Sequence, residues 1–366
     1  MRRFLASVPA SSRRRIPVAV GAGALARLED DLERSAAGRL VVVVSDSNVA
    51  PLHGVPLVGR LRGRGLRAEL VDFPAGEVHK TRETKAAIED RLAAFGADRS
   101  TLLVALGGGV TGDVAGFVAA TWLRGVEVVQ APTSLLAMAD AALGGKTGVD
   151  VPAGKNLVGA FHQPSALYAD VELLATLPDA DFRNGFAEIV KSAVVGDAAA
   201  FARLERDASA LARRRAPVVE RTLAACLRLK ARIVARDERE AGVRMILNFG
   251  HTAAHAVEAA SGYAVSHGEA VAIGMTAEGR IAVEAVGFPA EDAARVERLL
   301  ARLGLPLRAP AGTSREELLA AMARDKKNLA GLVRCALPRA IGRMGDAGAV
   351  ATVVDAERLA DALRGD

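Results

Sequence analysis

The sequence predicts an α/β N-terminal domain with a Rossmann-like, mostly parallel sheet, followed by an all-α C-terminal domain. The first half of the chain alternates short β-branched runs with helical segments, as in doubly wound sheets. After Leu177-Pro178 this rhythm gives way to long amphipathic segments rich in Ala, Leu, Arg and Glu. We therefore expect a nucleotide-binding domain at residues 1–178 and a helical domain at 179–366, which suits a chain of 366 residues.

The individual elements follow from these patterns. In the first half we expect strands at 16–20 (the first strand), 39–45, 67–73, 101–106 and 127–131, and helices at 83–95 and 111–121. In the second half we expect helices at 181–210, 217–238, 250–260, 268–286, 290–303 and 314–324, and a small hairpin from 333–337 and 349–354.

Composition excludes several classes of protein. No apolar run approaches the ~20 residues that span a bilayer, and the N-terminus lacks the apolar core of a signal peptide. The two cysteines, Cys226 and Cys335, are far apart, so a disulfide framework is not expected and a reducing, cytoplasmic location fits best. The net charge of +5 is spread without an aromatic-plus-basic stretch, which favours a small anionic substrate over nucleic acid.

The use of lysine is unusual. Of the 48 basic residues only eight are lysine, at positions 80, 85, 146, 155, 191, 230, 326 and 327. Arginine fills the ordinary surface positions, so a remaining lysine can mark a place that needs a compact, flexible ammonium group. Chance explains any single one of them. It explains less well that most lie beside Gly, Asn, Glu or Asp.

A glycine turn at 107–113 follows the strand at 101–106 and opens a helix. Gly107, Gly109 and Gly112 have the G-x-G-x-x-G spacing, in the context that a pyrophosphate site needs. A tight strand–helix turn with no ligand is the alternative. The acid expected about 20 residues later to hold a ribose is Glu127, but Asp46 at the carboxyl end of a strand is the better candidate.

Three further loops follow predicted strands. Residues 46–48 (Asp-Ser-Asn), 74–80 and 132–134 place polar side chains at strand ends, and parallel strands present ligands there. Residues 140–156 carry Lys146 and Lys155, each after a glycine, and suit an anion-binding loop. Their spacing is not that of a P-loop, and a flexible glycine loop is the alternative.

Three of the six histidines lie within seventeen positions and predict a metal site. His251 and His255 share one helix face at i, i+4, and His267 opens the next helix. The segment HTAAH lacks the glutamate of HExxH, so a zincin base is missing. The carboxylate ligand could come from Glu188, Glu258 or Glu269, and spacing does not choose between His251 and His255.

Together these segments resemble the 3-dehydroquinate synthase family of sugar-phosphate cyclases. The similarity runs from about residue 16 to 345. Its specificity lies in the whole set of segments, and no single one is decisive. The matching segments are 46–48 (DSN), 74–80 (PAGEVHK), 107–121 (GGGVTGDVAGFVAAT), 144–164 (GGKTGVDVPAGKNLVGAFHQP), 185–191 (GFAEIVK), 237–258 (DEREAGVRMILNFGHTAAHAVE), 267–275 (HGEAVAIGM) and 325–328 (DKKN).

The resemblance implies an active site in the cleft between the two domains. It implies that Glu188, His251 and His267 bind Zn²⁺ or Co²⁺. The NAD-binding residues it implies are Asp46, Glu77, Lys80, Gly108, Gly109, Asp113, Thr133, Ser134, Asp140, Lys146, Lys155 and Thr176. The substrate-binding residues it implies are Arg124, Asp140, Lys146, Lys155, Asn156, Lys191, Lys230, Arg244, Asn248, His255, His267, Lys326 and Lys327. Among these Lys146, Lys191, Arg244, Asn248 and His255 would be catalytic.

The implied reaction converts 3-deoxy-D-arabino-heptulosonate 7-phosphate to 3-dehydroquinate and phosphate. It combines transient oxidation by NAD, β-elimination of phosphate, re-reduction and an intramolecular aldol closure. Another sugar-phosphate cyclase, a glycerol-type alcohol dehydrogenase and a non-catalytic NAD sensor are the alternatives, and a homodimer is left open. The sequence departs from the family pattern at Ala141 and Ala142, where hydroxyls are usual, and at Ala180, where arginine is usual.

Overall fold

The computed structural model describes residues 1–7, 15–324, 332–345 and 351–365. The chain divides into two compact units. Unit 1 comprises Met1–Leu177 and Lys230–Glu238, and unit 2 comprises Pro178–Leu229 and Arg239–Asp366. No helix within the described part of the chain combines the length and hydropathy that crossing a bilayer requires.

A seven-stranded sheet forms the centre of unit 1. The strands of this unit are β1 (Arg2–Ser7), β2 (Arg15–Val20), β3 (Leu40–Asp46), β4 (Arg67–Phe73), β5 (Leu102–Gly107), β6 (Glu127–Pro132), β7 (Lys146–Val151), β8 (Gly154–Phe161) and β9 (Ala166–Ala169). The order in the sheet is β1-β2-β9-β6-β5-β3-β4, and every neighbouring pair except β1–β2 is parallel. The predicted mostly parallel sheet is therefore confirmed.

Helices cover both faces of this sheet. They are α1 (Ala24–Ser35), α2 (Val55–Gly63), α3 (Arg82–Ala94) and α4 (Gly109–Thr121). Side chains of β3 alternate between two apolar clusters. Val41 and Val43 pack with residues of α1 and α2, whereas Val42 and Val44 pack with residues of α3 and α4. A strand buried on both faces must be apolar throughout, which explains the unbroken valine run.

Unit 1 differs from the sequence expectation in its edges and connections. The strand predicted to be first, 16–20, is β2, and β1 precedes it as an antiparallel edge strand. The sequence did not predict β1 because the strand begins with the charged residues Arg2 and Arg3, which interrupt an apolar pattern. Charged residues are common on exposed edge strands. Helices α1 and α2 and strand β9 were not predicted.

The loop predicted at 140–156 contains the start of a two-stranded hairpin, β7–β8. Glycines of this hairpin lie where the two strands are in close contact. A Cβ on Gly159 would lie 2.0 Å from the Thr147 carbonyl oxygen, and one on Gly148 would lie 2.7 Å from that of Val158. The glycines therefore permit a close approach of the two strands, and the flexible-loop alternative is wrong for this segment.

Unit 2 is mainly helical. Its elements are α5 (Asp179–Gly196), α6 (Ala198–Ala212), α7 (Ala216–Arg236), α8 (His251–Ala260), α9 (His267–Val286), α10 (Ala290–Arg302), α11 (Arg315–Arg324), β10 (Leu332–Cys335), β11 (Pro338–Ala340), β12 (Arg343–Met344), β13 (Thr352–Asp355) and α12 (Ala356–Arg364). The last turns of α7, from Lys230, are grouped with unit 1.

Most helices of unit 2 match their predictions within a few residues. The expected helix 181–210 is two helices, because Asp197 leaves helical geometry and its side chain caps α6 by accepting from the Ala200 N–H. The two predicted strands are confirmed as β10 and β13, which pair antiparallel. They do not form a simple hairpin, because β11 and β12 lie between them in the chain. The hairpin β11–β12 was not predicted and adds two further strands to this mainly helical domain.

Candidate active site

Three helices of unit 2 bring a carboxylate and two imidazoles together. Glu188 lies on α5, His251 is the first residue of α8 and His267 is the first residue of α9. One ligand atom from each lies within 4.8 Å of the others. Glu188 Oε1 is 3.6 Å from His251 Nε2 and 3.7 Å from His267 Nε2. The donor set of two imidazoles and one carboxylate is of the kind that holds a catalytic zinc ion with an open position.

Two glycines of α9 allow these helices to meet. A Cβ on Gly268 would lie 2.2 Å from the Asn184 carbonyl oxygen of α5. A Cβ on Gly274 would lie 2.0 Å from the carbonyl oxygen of Gly250, the residue before α8. Gly250 itself has a φ of +80°, which places the chain for the start of α8. The histidines therefore occupy helix starts that are fixed by backbone contact.

The carboxylates around the cluster set its electrostatics. Glu188 is buried and forms an ion pair with buried Lys191, one turn further along α5. Glu258 Oε1 lies 3.4 Å from His267 Nδ1. Burial of the ring alone would lower the pKa of His267, but Glu188 and Glu258 raise it to about 9. Burial, followed by Lys191, lowers the pKa of His251 well below its usual range.

The geometry separates the candidates that the sequence left open. Glu269 accepts from the Ser266 N–H and hydroxyl and so belongs to a capping box at the start of α9. Glu258 contacts the far nitrogen of His267 and lies outside the three-residue cluster. His255 is exposed on α8, with its ring centroid 5.9 Å from that of His251.

Arg244 and Asn248 lie on the short 3-10 helix Val243–Asn248, just before Gly250. Arg244 is buried. Asn248 donates from Nδ2 to Glu240 Oε1 at 2.7 Å. Lys326 and Lys327 fall outside the described residues.

In unit 1, several of the predicted cofactor residues lie at or just after the carboxyl ends of β3 to β6. Asp46 accepts hydrogen bonds from the Asn48 and Val49 N–H groups and from the Thr111 hydroxyl at the start of α4. The Thr133 N–H donates to the Gly107 carbonyl oxygen, and Gly108 lies beside Ser134. Glu127 is at the opposite, amino end of β6 and pairs with Arg39, so it is the weaker of the two ribose candidates.

A second group of charges joins the segment 74–80 to the hairpin. Lys80 Nζ donates to Asp113 Oδ2 and to Asn156 Oδ1, each at 2.6 Å. Lys155 Nζ lies 3.8 Å from Glu77 Oε1. Burial lowers the pKa of Lys80, but Asp113 and Glu77 outweigh it and raise the pKa, so this buried ammonium stays charged.

The other predicted residues of unit 1 are more scattered. Lys230 Nζ donates to the side chain of Asp140 at 2.6 Å and also to its carbonyl oxygen. Thr176 Oγ1 is 2.8 Å from His53 Nε2. Lys146 and Arg124 are exposed, and Arg124 has a φ of +69°.

Family models match most of the chain. The model described as 3-dehydroquinate synthase N-terminal matches residues 70–184, and the one described as 3-dehydroquinate synthase C-terminal matches residues 185–328. A 3-dehydroquinate synthase of Synechococcus sp. is 45% identical over 336 residues, which are 89% of this chain and 90% of the relative. The chain belongs to the 3-dehydroquinate synthase family.

Solved structures place the family among related cyclases. A 2-deoxy-scyllo-inosose synthase complexed with carbaglucose-6-phosphate, NAD⁺ and Co²⁺ is 25% identical, with a TM-score of 0.89 and 100% of both chains covered. A 2-epi-5-epi-valiolone synthase from Streptomyces hygroscopicus subsp. jinggangensis with NAD⁺ and Zn²⁺ bound is 31% identical, with a TM-score of 0.83 and 95% of both chains covered. The 3-dehydroquinate synthase family is thus confirmed by sequence, and the predicted fold class by structure.

In this member of the 3-dehydroquinate synthase family, three residues that lie near the predicted sites were not predicted from the sequence. They are His53 beside Thr176, Glu240 beside Asn248, and Glu278 at the start of α8. Only Glu278 had a sequence signal. It is the single acid within the apolar run 270–279, and such a position needs a buried partner.

Proposed function

We propose that this chain is a lyase that converts 3-deoxy-D-arabino-heptulosonate 7-phosphate to 3-dehydroquinate and phosphate. The observation that carries the proposal is the cluster of Glu188, His251 and His267 in a chain of the 3-dehydroquinate synthase family. A divalent cation bound there would act as a Lewis acid on a substrate hydroxyl. The reaction has no net redox change, since the hydride that leaves the substrate returns to it.

The donor set fits such a cation. Two imidazole nitrogens and a carboxylate oxygen lie close enough to share one ion, and Zn²⁺ and Co²⁺ both accept this set. Glu258 Oε1 lies 3.4 Å from Nδ1 of His267, and we propose that this contact orients His267 Nε2 toward the cluster. Lys191 forms an ion pair with Glu188. We propose that Lys191 and His255 assist proton movement.

The substrate carries a carboxylate and a phosphate, so its site needs cationic and amide donors. In unit 2 we assign Lys191, Arg244, Asn248, His255 and His267 to it, with the Lys326–Lys327 pair. In unit 1 we assign Arg124, Asp140, Lys146, Lys155, Asn156 and Lys230. Of these, Lys191, Arg244, Asn248, His255 and Lys146 are proposed to be catalytic. Little acid–base work is required of the protein, because the substrate phosphate can itself accept a proton.

Unit 1 is proposed to bind NAD, which supplies the reversible hydride acceptor. Gly108 and Gly109 open α4 without side chains, so backbone N–H groups can approach a pyrophosphate. Asp46 is proposed to hold a ribose, and Glu77, Lys80, Asp113, Thr133, Ser134, Asp140, Lys146, Lys155 and Thr176 complete the set. The functional division is then residues 1–178 for the nucleotide and 179–366 for the metal, although the structure groups Lys230–Glu238 with unit 1.

The direct test is turnover. We expect the purified protein with NAD, Co²⁺ or Zn²⁺ and the heptulosonate phosphate to release phosphate and form the carbocycle, without net NADH. Absence of phosphate release would contradict the proposal. Net NADH accumulation would instead indicate a dehydrogenase, and NAD binding without turnover a sensor. Turnover of other sugar phosphates in preference would indicate another cyclase.

His267→Ala tests the metal ligand set. We expect loss of both metal binding and turnover with the fold retained, because one of three donors is removed. His162→Ala is the matched control, since the His162 ring contacts the Val126 carbonyl oxygen in unit 1 and has no proposed role. Full activity of the His267 variant would remove it from the ligand set. A cytoplasmic location and a homodimer are further proposals, to be checked by fractionation and light scattering.

A further inference from the structure

The helix that carries His251 lacks an N-terminal cap of its own. The first N–H groups of a helix have no acceptor within the helix and need one from outside. The cap position of α8 is Gly250, which has no side chain to supply it. The start of α8 is also buried, as Gly250 and Ala253 show, so solvent is a poor substitute. The N–H groups beside His251 therefore depend on another element.

Glu278 supplies this acceptor from the middle of α9. Its Oε2 accepts from the Gly250 N–H at 2.7 Å, and its Oε1 accepts from the Ala253 N–H at 3.1 Å. The Glu278 side chain is 0% exposed. A carboxylate in such a place is costly unless its hydrogen bonds are made, so these contacts fix the start of α8 firmly.

The contact joins two helices that each begin with a ligand residue. His251 is the first residue of α8, and His267 is the first residue of α9. Glu278 lies one turn beyond Gly274, where α9 touches the Gly250 carbonyl. The backbone contact sets how closely the helices approach, and the carboxylate sets where α8 starts. The separation of the two imidazoles depends on both.

We infer that Glu278 is a positioning residue for the metal centre. It holds the first turn of α8, and through it His251, in place relative to His267 and Glu188. Displacement of a ligand by a few tenths of an ångström weakens metal binding, because coordination distances tolerate about 0.2 Å. The inference rests on the proposed metal site.

The test compares Glu278→Gln and Glu278→Ala by titration with Co²⁺, whose visible absorption reports ligand geometry. We expect Co²⁺ to bind about 10- to 100-fold more weakly to the alanine variant, as for other residues that orient ligands, and its spectrum to change. The glutamine variant keeps one carbonyl acceptor, so we expect its Co²⁺ affinity to lie between those of the alanine variant and the wild-type protein. In turnover assays of these variants, we expect a large fall in kcat and a smaller change in the KM for the sugar phosphate.

Glu29→Gln is the matched control. Glu29 is also a buried carboxylate, but it lies in unit 1 and pairs with Arg60. We expect the Glu29→Gln variant to be less stable than the wild-type protein but to have the same Co²⁺ affinity and spectrum. Far-UV circular dichroism and a cooperative urea transition report whether each Glu278 variant is folded.

Each outcome decides the inference. A folded Glu278 variant with wild-type Co²⁺ affinity and spectrum would overturn it. If the alanine variant does not fold, the glutamine variant decides. If neither folds, Glu278 is a general stabilising residue and the inference is wrong. Failure of the wild-type protein to bind Co²⁺ would contradict the metal site itself, which is a separate result.

Discussion

Neighbouring carboxylates determine the electrostatic environment of His267. Its two ring nitrogens lie near two different carboxylates, Glu188 on one side and Glu258 on the other. Sequence spacing predicted the histidine but could not rank the glutamates, because ranking them requires knowing which helices pack together. The structure shows Glu269 capping its own helix and Glu258 behind His267, which leaves Glu188 beside both histidines.

The raised pKa of His267 predicts competition between protons and metal. The folded-state pKa of about 9 exceeds the ordinary 6.5, so the proton stabilises the metal-free protein. That stabilisation is complete below the unfolded pKa and is lost as pH rises through 9. We expect Co²⁺ affinity to rise by up to about tenfold per pH unit below this value and then level off. Absorbance titrations at several pH values measure this, and an affinity that is flat from pH 7 to 9 would contradict it.

Glu258→Gln tests the carboxylate behind His267. The amide loses the charge that orients the ring, so we expect metal affinity to fall about 10- to 100-fold. Glu297→Gln is a control. Glu297 on α10 pairs with Arg280 on α9 and is not part of the cluster. Equal affinities of the two variants, measured by competition with a chelator, would show that Glu258 does not act on the metal.

At the scale of elements, the long apolar patterns were predictable and the glycine-dependent contacts were not. The strands β3 and β5 and most helices of unit 2 were expected within a few residues, because burial forces a clear pattern on them. The β7–β8 hairpin was expected as a loop, since glycine weakens any strand signal. Its glycines are explained only by the opposite strand, which a single sequence does not reveal.

Gly274→Ala tests the contact between α8 and α9. Its new Cβ would meet the Gly250 carbonyl oxygen, which is backbone and cannot rotate away, so we expect destabilisation of about 3 kcal/mol or more. Metal affinity should fall as well. Gly279→Ala on the same helix has no atom within 4 Å of its Cβ and should be neutral or up to about 1 kcal/mol stabilising. Urea unfolding of both variants measures this, and equal midpoints would refute the close contact.

Across the whole molecule, lysine and arginine have different roles. Arg64 pairs with the half-exposed side chains of Asp30 and Glu33, as ordinary surface arginines do. Three of the lysines, Lys80, Lys191 and Lys230, are instead buried against carboxylates. Two other lysines are not buried in this way: Lys85 pairs with Glu89 one turn away on α3, and Lys146 is exposed. The scarcity of lysine in the sequence therefore drew attention to these three positions. The partners of Lys80 and Lys230 lie far along the chain and follow only from the fold, whereas Glu188 is three residues from Lys191.

The division of the chain into two units predicts separable binding events. Asp113→Asn keeps an acceptor for Lys80 but removes a charge from the proposed NAD site in unit 1. We expect NAD affinity to fall about tenfold, as for a charged hydrogen bond, with Co²⁺ affinity in the absence of NAD unchanged. Asp90→Asn on exposed α3 surface should change neither. Calorimetry with each ligand checks this, and a parallel loss of Co²⁺ affinity would show that the two sites are not independent.

The placement of the proposed metal ligands along the chain also affects folding. His251 and His267 are joined by α8 and one short loop, so the entropy lost in closing that loop is small. Glu188 lies far upstream, beyond α6 and α7, and must arrive through a much longer closure. The two histidines can therefore meet while much of the chain is still unfolded. We expect a divalent ion present during refolding to be captured first by this weak two-histidine site and to gain its third ligand only when α5 docks.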